Sequence, residues 1–488
     1  MISKVKSIAW VAIVVFTISM AILPMGCAKA EEVAEEVAEE AEEVAEEAEE
    51  VAEEAEEVAE EAEEVAEEAE EVEEAVETAT YWIEKAGLKP SGQLNIYSYK
   101  DEMALEESVT SMFLDAYPEV EVNWVAIPYA EYASKIAMEL ETGTADFDLM
   151  WSWGAWTNQF KDYLMDVTDM IPQELKDDIV PGIHKAVGSG DKWFGVPFFV
   201  GIWGIQYNTE ILSKAGYDTP PKQINDFLQC AADCTVDEDN DGLPETYGFT
   251  GVSQPGQSWN PVFYALLKNV GGEYWNEDPS NPEALFNDEY GIRALQVEKA
   301  LYASDFSDPV MAAGDPGQSR SSFSAGGVGL SWNYMGWVYA DILNNFPENS
   351  DKIGWAEVPV DGDNESYCVT GDMGYVIRDG AENLDNALAF CLFYSSIPIQ
   401  KWRNEHDGFC PVRLALANDE EYVTEYPYIP ISLDMASRSV RYVEPNMSEI
   451  ENGSIPIFEN YFSNKIDEEE TLNQLEDLFY STWESYLE

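Results

Sequence analysis

Aromatic side chains are concentrated in a few short segments of this 488-residue chain. Trp151, Trp153 and Trp156 fall within six residues, and Trp332 and Trp337 lie in the segment SWNYMGW. An aromatic ring can stack against the apolar face of a sugar, while carboxylates and amides bind the hydroxyls at the sugar's edge. Because most tryptophans are largely buried, any single one is better explained as a core residue. The clusters beside small and polar residues instead favour a ligand cleft.

A second group of residues has the chemistry of a metal site. Asp237, Asp239 and Asp241 alternate along the segment DEDNDG, with Glu245 at the ninth position, as in the first part of an EF-hand calcium loop. The twelfth position, where a bidentate Glu is usual, holds Gly248. A weak or structural calcium site and a solvated acidic turn therefore stay open as alternatives.

Groups that would support catalysis are scarce. His184 and His406 are the only histidines, which leaves little room for His-based catalysis or a multi-His metal site. No P-loop, GxSxG elbow or zinc-ligand pair is present in the sequence. Apart from Cys27 there are five cysteines, an odd number that cannot all pair within one chain. Cys230 and Cys234 lie four residues apart and receive no functional role.

The chain is strongly acidic, with 96 Asp and Glu, 25 Lys and Arg, and a formal net charge of −71. The first 77 residues hold 27 Glu and three Lys, so they carry −24 and the remainder carries −47. A body this acidic argues against sequence-independent binding to nucleic-acid phosphates. The hydrophobic content of 45% is that of a globular protein, and about 400 residues suffice for two cores.

Residues 1–26 are predicted to be a lipoprotein signal peptide. A short basic start and an apolar run to Leu23 are followed by Gly26 and Cys27. In such signals a small residue precedes the Cys that is lipidated and becomes the new N-terminus. The alternative is an uncleaved membrane anchor, although the apolar run is slightly short for a span. Both interpretations place the rest of the protein outside the cytoplasmic membrane.

Residues 27–91 are predicted to be an acidic spacer. Val recurs every seven residues from Val44 to Val72, with Ala three positions before each, which would form one stripe of a helix. Glu residues three and four apart repel one another, and no basic residue is available to pair with them between 31 and 77. A solvated spacer that is helical or disordered is therefore expected in preference to a strong coiled coil.

Strands and helices alternate from Gln93 onward, which predicts α/β lobes with mostly parallel sheets. In such open sheets, ligands bind beyond the carboxyl ends of the strands. The segments just after Tyr99 and Met150 are therefore the first places to look for a site. The predicted elements are strands at 94–99, 120–127 and 147–151 and helices at 102–114 and 129–140.

Several later segments occur in an order that is typical of one protein family. The crossing segment GDKWFGVPFFVGIWGIQYNTEILSKAG is followed by PPKQINDF, DEDNDGLPETYGF, FSAGGVGLSWNYMGW and KIGWAEVPV. GDMGYVIRDGAENLDNALAFCLFYSSIPIQKWRNEHDGFCPVR then gives a return strand, a helix and a Gly-x-x-Pro-x-Arg ending. On these segments, residues 92–488 resemble the extracellular solute-binding proteins (family 1) of ABC sugar transporters, which include the maltose-binding proteins. One departure is Ile224, where the family usually has Trp.

The resemblance implies an α/β periplasmic-binding-protein-like fold, with two lobes that close around a hinge. The first lobe would comprise residues 92–202 and 363–405, and the second would comprise 203–362 and 406–488. The implied function is that of a monomeric, lipid-anchored binding protein, not an enzyme, outside the cytoplasmic membrane. It would capture a small solute, with a sugar or oligosaccharide as the expected class, and deliver it to the transmembrane subunits of a permease. No cofactor is expected apart from calcium at the acidic loop.

The expected ligand-facing residues come from both lobes. Asp372 is included because it follows Gly371 at a strand boundary, where its carboxylate could accept two sugar hydroxyls. Its alternative role is that of a turn residue that binds local backbone N–H groups. The candidates are Trp151, Trp153, Trp156 and Asp372 on one side, Trp203, Trp259, Trp332, Asn333 and Trp337 on the other, and Arg413 near the rim.

Three other functions would suit parts of the sequence. A secreted glycoside hydrolase would also be acidic and rich in Trp, with two carboxylates flanking the bond that is cleaved. A surface carbohydrate adhesin on a stalk would account for the Glu-rich repeat. Within the binding-protein class, a polyamine would suit acidic and aromatic walls. Product analysis after incubation with oligosaccharides separates a hydrolase from a binding protein, because a binding protein releases its ligand unchanged.

Overall fold

The computed structural model describes residues 79–99, 103–239, 241–252, 259–278, 280–440, 444 and 446–487. The predicted signal peptide, Cys27 and the heptad segment lie outside these residues. Within the described ranges, every helix is too short or too polar to cross a membrane.

The strands and helices follow one another in an α/β pattern. In chain order, the strands are β1 (Gly92–Tyr99), β2 (Val120–Ile127), β3 (Leu149–Trp153), β4 (Gly188–Ser189), β5 (Lys192–Trp193), β6 (Gly195–Phe199), β7 (Ile202–Asn208), β8 (Tyr247–Gly251), β9 (Val328–Tyr334), β10 (Ile353–Ala356), β11 (Val369–Thr370) and β12 (Met373–Ile377). The helices are α1 (Tyr81–Ala86), α2 (Met103–Ala116), α3 (Tyr129–Thr142), α4 (Gly154–Phe160), α5 (Gln173–Asp178), α6 (Thr209–Ala215), α7 (Ile224–Cys234), α8 (Trp259–Asn269), α9 (Glu289–Ala303), α10 (Pro316–Ser324), α11 (Met335–Asn345), α12 (Leu384–Tyr394), α13 (Ile397–Asp407), α14 (Glu420–Glu425), α15 (Ile429–Ser437), α16 (Met447–Phe462) and α17 (Glu468–Leu487).

Two sheets organise the fold. The first has the strand order β2-β1-β3-β12-β6, and the second has the order β10-β7-β9-β8, with β11 also paired to β7. We refer to the first sheet and the elements packed around it as lobe 1, and to the second sheet and the elements packed around it as lobe 2. The first strands pair in parallel, as expected, but β12 runs antiparallel to both β3 and β6. In lobe 2, β8 and β9 are parallel, while β7 is antiparallel to β9 and β10.

The antiparallel pairs correct the expectation of mostly parallel sheets. The chain leaves lobe 1 along β6 and enters lobe 2 directly as β7, without an intervening helix. The chain returns to lobe 1 through β11 and β12, which run in the opposite direction. Strand β11 therefore pairs antiparallel with β7, and β12 pairs antiparallel with β6. Crossover helices are needed only where strands are parallel, which explains why the local alternation rule fails at these crossings.

Local sequence signals account for several helix starts. Asn208 caps α6, because its side-chain oxygen accepts hydrogen bonds from the backbone N–H groups of Glu210 and Ile211 at 3.0 and 3.1 Å. Asp288 caps α9 in the same way, and Asp315 caps α10, whose first residue is a proline. Such caps satisfy N–H groups that have no partner inside the helix.

Residues 79–91, which the sequence analysis assigned to the spacer, are packed on lobe 1. Ile83 of α1 is 1% exposed, and Lys85 forms an ion pair with Glu174 at 3.0 Å. The backbone N–H of Ser91 donates to Oδ1 of Asn386 on α12 at 2.7 Å, and Asn386 Nδ2 donates back to the Ser91 carbonyl at 2.9 Å. The folded body therefore begins before Gly92.

Candidate functional site

The two crossing segments meet at a pair of glycines between the lobes. The N–H of Gly201 donates to the Gly371 carbonyl at 3.2 Å, and the N–H of Gly371 donates to the Gly201 carbonyl at 2.9 Å. A Cβ on Gly201 would lie 2.5 Å from Cε1 of Tyr334, and one on Gly371 would lie 3.1 Å from its hydroxyl. The glycines thus allow the Tyr334 ring to lie directly against the hinge.

Tyr334 is the centre of an aromatic and acidic cluster. Its ring centroid lies 4.2 Å from Trp337 and 5.0 Å from Trp203. The pKa of Tyr334 is raised to about 12, mainly by desolvation, and the nearby carboxyls of Glu451 and Asp372 contribute to the increase. Two carboxyls from distant parts of the chain therefore lie close to one half-buried ring.

Lobe 1 contributes a tryptophan pair to the same region. Trp156 stacks on Tyr132 at 5.0 Å, and Trp153 lies edge-on to Trp156 at 6.0 Å. The indole Nε1 of Trp156 donates to Oγ of Ser448 on α16 at 3.3 Å. Ser448 and Glu451 are three residues apart on that helix, so they share one face. Glu451 therefore lies on the face of α16 that carries Ser448, the partner of Trp156.

Four of the predicted ligand residues come together at this cleft: Trp153, Trp156, Trp337 and Asp372. Trp153 and Trp337 are half-buried, so part of each ring remains exposed. Trp156 is 2% exposed and supports Trp153, while Asp372 is 6% exposed beside the hinge. We name this group, with Tyr334, Ser448 and Glu451, the hinge cleft.

Other predicted ligand residues belong to the core. Trp332 is 1% exposed, and its Nε1 donates to the Trp203 carbonyl at 2.9 Å, because both lie on paired strands in the middle of the lobe 2 sheet. Trp151 and Trp203 are 3% and 4% exposed and support neighbouring aromatic rings. Asn333 is 1% exposed, and its Oδ1 accepts from the N–H of Tyr334. These residues are packed within the two lobes, so their side chains are largely covered by protein.

Two predicted residues have other partners. The guanidinium of Arg413 is 3% exposed and pairs with Asp178 at 2.7 Å, and its Nη1 donates to the Ser395 carbonyl at 2.9 Å. Arg413 therefore forms a structural ion pair with Asp178 within lobe 1. Trp259 packs edge-on to Phe462 at 5.2 Å. Phe462 ends α16, about 21 Å along the helix from Ser448, so Trp259 lies away from the hinge cleft.

A family comparison identifies what kind of protein carries this cleft. Residues 91–401, more than half of the chain, match the model of the bacterial extracellular solute-binding protein family. The chain belongs to this family. Its members are binding proteins that serve ABC transporters, and they are not enzymes.

Individual relatives of this solute-binding protein are distant. A probable amino-acid ABC transporter periplasmic-binding protein of Sinorhizobium fredii is 24% identical over 355 residues, which cover 70% of this chain and 77% of the relative. The structure of maltose-bound MalE3 of T. maritima aligns with a TM-score of 0.68 and 17% identity, over 80% of this chain and all of that one. The GacH receptor of Streptomyces glaucescens aligns with a TM-score of 0.67 and 21% identity, over 82% and 100%. These alignments confirm the two-lobed fold.

Sequence reasoning about this solute-binding protein missed three residues of the hinge cleft. Tyr334 lies between Asn333 and Trp337 in the segment SWNYMGW, so the aromatic cluster is its signal in the sequence. Ser448 and Glu451 had no comparable signal, because they occupy an ordinary helix with no motif around them. Only the packing of α16 against Trp156 brings them to the cleft.

Glu451 has unusual acid–base properties for a partly exposed carboxyl. Desolvation raises its pKa from 4.5 to about 8. The carboxyl is therefore mostly protonated at pH 7, and a protonated carboxyl can both donate and accept a hydrogen bond. A neutral ligand hydroxyl would be a suitable partner for such a group.

Replacing Glu451 by glutamine should change how stability depends on pH. The folded wild type retains a proton that the unfolded chain releases above pH 4.5, so its stability falls as pH rises from about 4.5 to about 8. Glu451→Gln removes this loss of stability. The Tm of the variant minus that of the wild type should therefore increase as the pH rises over that range. Glu459→Gln, an exposed position on the same helix, is the control and should leave the difference flat. If the Tm difference between Glu451→Gln and the wild type did not change with pH, this would contradict the raised pKa of Glu451.

The acidic loop after α7 forms a compact turn. The carboxylate oxygens of Asp237, Asp239 and Glu245 lie within 4.8 Å of one another. These carboxylates also accept backbone hydrogen bonds, including Gly242 N–H to Asp237 at 3.0 Å. Asp241 instead caps the N–H of Leu243 at 2.8 Å. Oxygen ligands suit Ca²⁺, although they are fewer than the six to eight that a tight site provides.

Calcium binding at this loop stays a prediction. Excess CaCl₂ should raise the Tm of the wild type relative to EDTA, because an ion that binds only the folded state stabilises it. Asp239→Asn should reduce the increase. An equal increase with MgCl₂, or no loss in Asp239→Asn, would indicate general screening of an acidic surface.

Proposed function

We propose that this protein captures a neutral saccharide or polyol in the hinge cleft and delivers it to the permease of an ABC importer. The observation that carries the proposal is the convergence of Trp153, Trp337 and Tyr334 with the carboxyls of Asp372 and Glu451. Half-buried aromatic rings offer stacking surfaces, and the carboxyls offer partners for hydroxyl groups.

The protonation of Glu451 supports a neutral ligand. A ligand with a permanent positive charge would be best held by ionised carboxylates, whereas Glu451 is held mostly uncharged at neutral pH by desolvation. A negatively charged ligand would face Asp372 and the strongly acidic chain around it. An uncharged molecule with several hydroxyl groups does not need an ionised Glu451 and is not repelled by the acidic chain.

The relatives are consistent with this ligand class. The solved structure of MalE3 holds maltose, and the GacH receptor was solved with acarbose. Both share the two-lobed fold with this protein, although the low identity transfers the fold and not the ligand. The choice of a saccharide therefore depends on the hinge cleft itself.

A thermal-shift screen of mono- and oligosaccharides and sugar alcohols tests the proposal. A ligand that binds the folded state alone should raise the Tm, by an amount that grows with ligand concentration. The amino acids should be included in the same screen, because one relative is described as an amino-acid binding protein. A shift with amino acids and none with neutral saccharides or polyols would overturn the proposed ligand class.

We also propose that the mature protein is a monomer anchored outside the cytoplasmic membrane through lipidated Cys27. Gly26 and Cys27 at the end of an apolar export segment support this proposal. Cys27→Ser should abolish lipidation and release the protein from the membrane fraction. Mass spectrometry of the natural N-terminus is the direct measurement, and an unmodified or different mature N-terminus in the wild type would contradict it.

A further inference from the structure

A separate cavity of about 720 Å³ lies in lobe 2 and shares no lining residue with the hinge cleft. Its walls are the segments 219–223 and 355–366 and one face of α15. The volume falls within the range of small-molecule sites in proteins, roughly 300–1,000 Å³. Nothing in the proposed capture of a saccharide makes use of this cavity.

The walls of the lobe 2 cavity are fastened to one another. The side chain of Gln223 donates to the Gly362 carbonyl at 2.9 Å and accepts from the Gly362 N–H at 3.0 Å. The N–H of Val360 donates to the Lys222 carbonyl at 2.9 Å, and that of Ile224 donates to the Val360 carbonyl at 3.0 Å. Because the backbone itself bridges the two segments, a ligand would find the cavity already formed.

Two aromatic rings line the cavity. Tyr207 lies across Gly354 on the neighbouring strand, where a Cβ would be only 2.0 Å from the ring carbon Cζ. Trp355 follows Gly354 and is held by Tyr428 at 5.3 Å and by Tyr339 at 5.9 Å. Both lining rings are half-buried. The glycine thus makes room for an aromatic wall on the edge strand β10.

The charged groups of the lining are mainly carboxylates. The lining has four acidic and two basic side chains: Glu357, Asp363, Glu365 and Asp434, against Lys222 and Arg438. The Arg438 guanidinium contacts Glu357 at 2.6 Å, donates to the Ser366 carbonyl at 2.9 Å and also pairs with Asp434. Its donors are therefore engaged within the wall, and Lys222 lies 3.8 Å from Glu357, so the lining keeps an excess of negative charge.

We propose that the lobe 2 cavity binds a small organic cation that carries primary ammonium groups, such as a diamine. The rings of Tyr207 and Trp355 would contact the cation through their faces, and the carboxylates would accept its N–H groups. An anion would meet the net negative charge of the lining. The cavity would thus respond to a different class of solute from the hinge cleft.

Calorimetric titration of the mature protein with 1,4-diaminobutane tests the proposal, with 1,4-butanediol as the uncharged probe of matched shape. The diamine should bind at one saturable site, and the diol should give no heat of binding. Trp355→Ala should weaken diamine binding about 2- to 30-fold, the range for loss of one cation–π contact. Cooperative thermal unfolding verifies that the variant is folded.

Two control variants separate this site from the rest of the surface. Trp402→Ala removes a half-buried tryptophan that stacks on His406 in lobe 1, and Trp337→Ala alters the hinge cleft. Both should retain wild-type affinity for the diamine, whether or not the hinge cleft binds a saccharide. Loss of diamine binding in Trp337→Ala with retention in Trp355→Ala would place the cation in the hinge cleft and overturn the proposal. If the diamine bound at multiple weak sites that Trp355→Ala did not affect, it would be binding only as a counterion to the acidic surface, and the proposal would be wrong.

Discussion

Trp337→Ala is expected to weaken saccharide binding by about 5- to 150-fold, which corresponds to roughly 1–3 kcal/mol for a lost aromatic contact. Trp337 is half-buried and contacts the rings of Phe199 and Tyr334 at the hinge, so part of its ring remains exposed there. Trp153→Ala, on the lobe 1 side, should produce a loss in the same range. Both effects are expected because closure requires the ligand to contact both lobes.

Calorimetric titration with the saccharide that gives the largest thermal shift measures these losses. Trp402→Ala is the matched control, because Trp402 is also a half-buried tryptophan but packs on His406 away from the hinge. Its affinity should equal that of the wild type. Wild-type affinity in both Trp337→Ala and Trp153→Ala, with cooperative unfolding preserved, would show that the ligand binds elsewhere.

Arg403→Ala is expected to lower the free energy of unfolding by about 3–5 kcal/mol, the usual effect of removing one partner of a buried ion pair. Arg403 is 1% exposed, and its guanidinium lies 3.6 Å from Glu106 and 2.6 Å from Asp407. Glu106 is fully buried on α2, so removal of the cation leaves its carboxylate without the nearest positive charge. The variant should unfold at a much lower urea concentration.

Urea denaturation followed by circular dichroism provides this measurement. Lys401→Ala, on the same helix, removes an exposed ion pair with Asp419 at 2.7 Å and should cost no more than about 1 kcal/mol. Arg403→Ala combined with Glu106→Leu should recover part of the loss, because the buried carboxyl is then gone. Equal effects of Arg403→Ala and Lys401→Ala would contradict the importance of the buried pair.

The strands that could be located from sequence are those with local signals. Strand β2 was predicted at 120–127 and has those bounds, because β-prone Val, Trp and Ile residues recur from its first to its last position, with Glu121 and Asn123 between them. The helix predicted at 129–140 extends two residues further to a glycine with φ of 66°, a common helix end. The family resemblance located the crossing segment and the return strand, but their antiparallel pairing could not be predicted, because it joins segments far apart in sequence.

The candidate site was predictable only in part, for a related reason. Trp332 and Trp337 lie five residues apart in one motif, yet the first is in mid-sheet and the second on a helix beside the hinge. Composition cannot distinguish these positions. Arg413 has the partner Asp178, which is 235 residues away, and no local pattern reveals that ion pair. Glu451 likewise reaches the cleft only through the packing of α16.

Calorimetric titration of the wild-type protein at pH 7, followed by chemical analysis of the recovered ligand, tests the central claim most directly. Our account predicts saturable binding of one neutral saccharide or polyol per protein, and recovery of that ligand unchanged. Cleavage of the ligand would contradict a binding function. Saturable binding of charged solutes alone, without any response to neutral saccharides or polyols, would contradict the assignment of the hinge cleft.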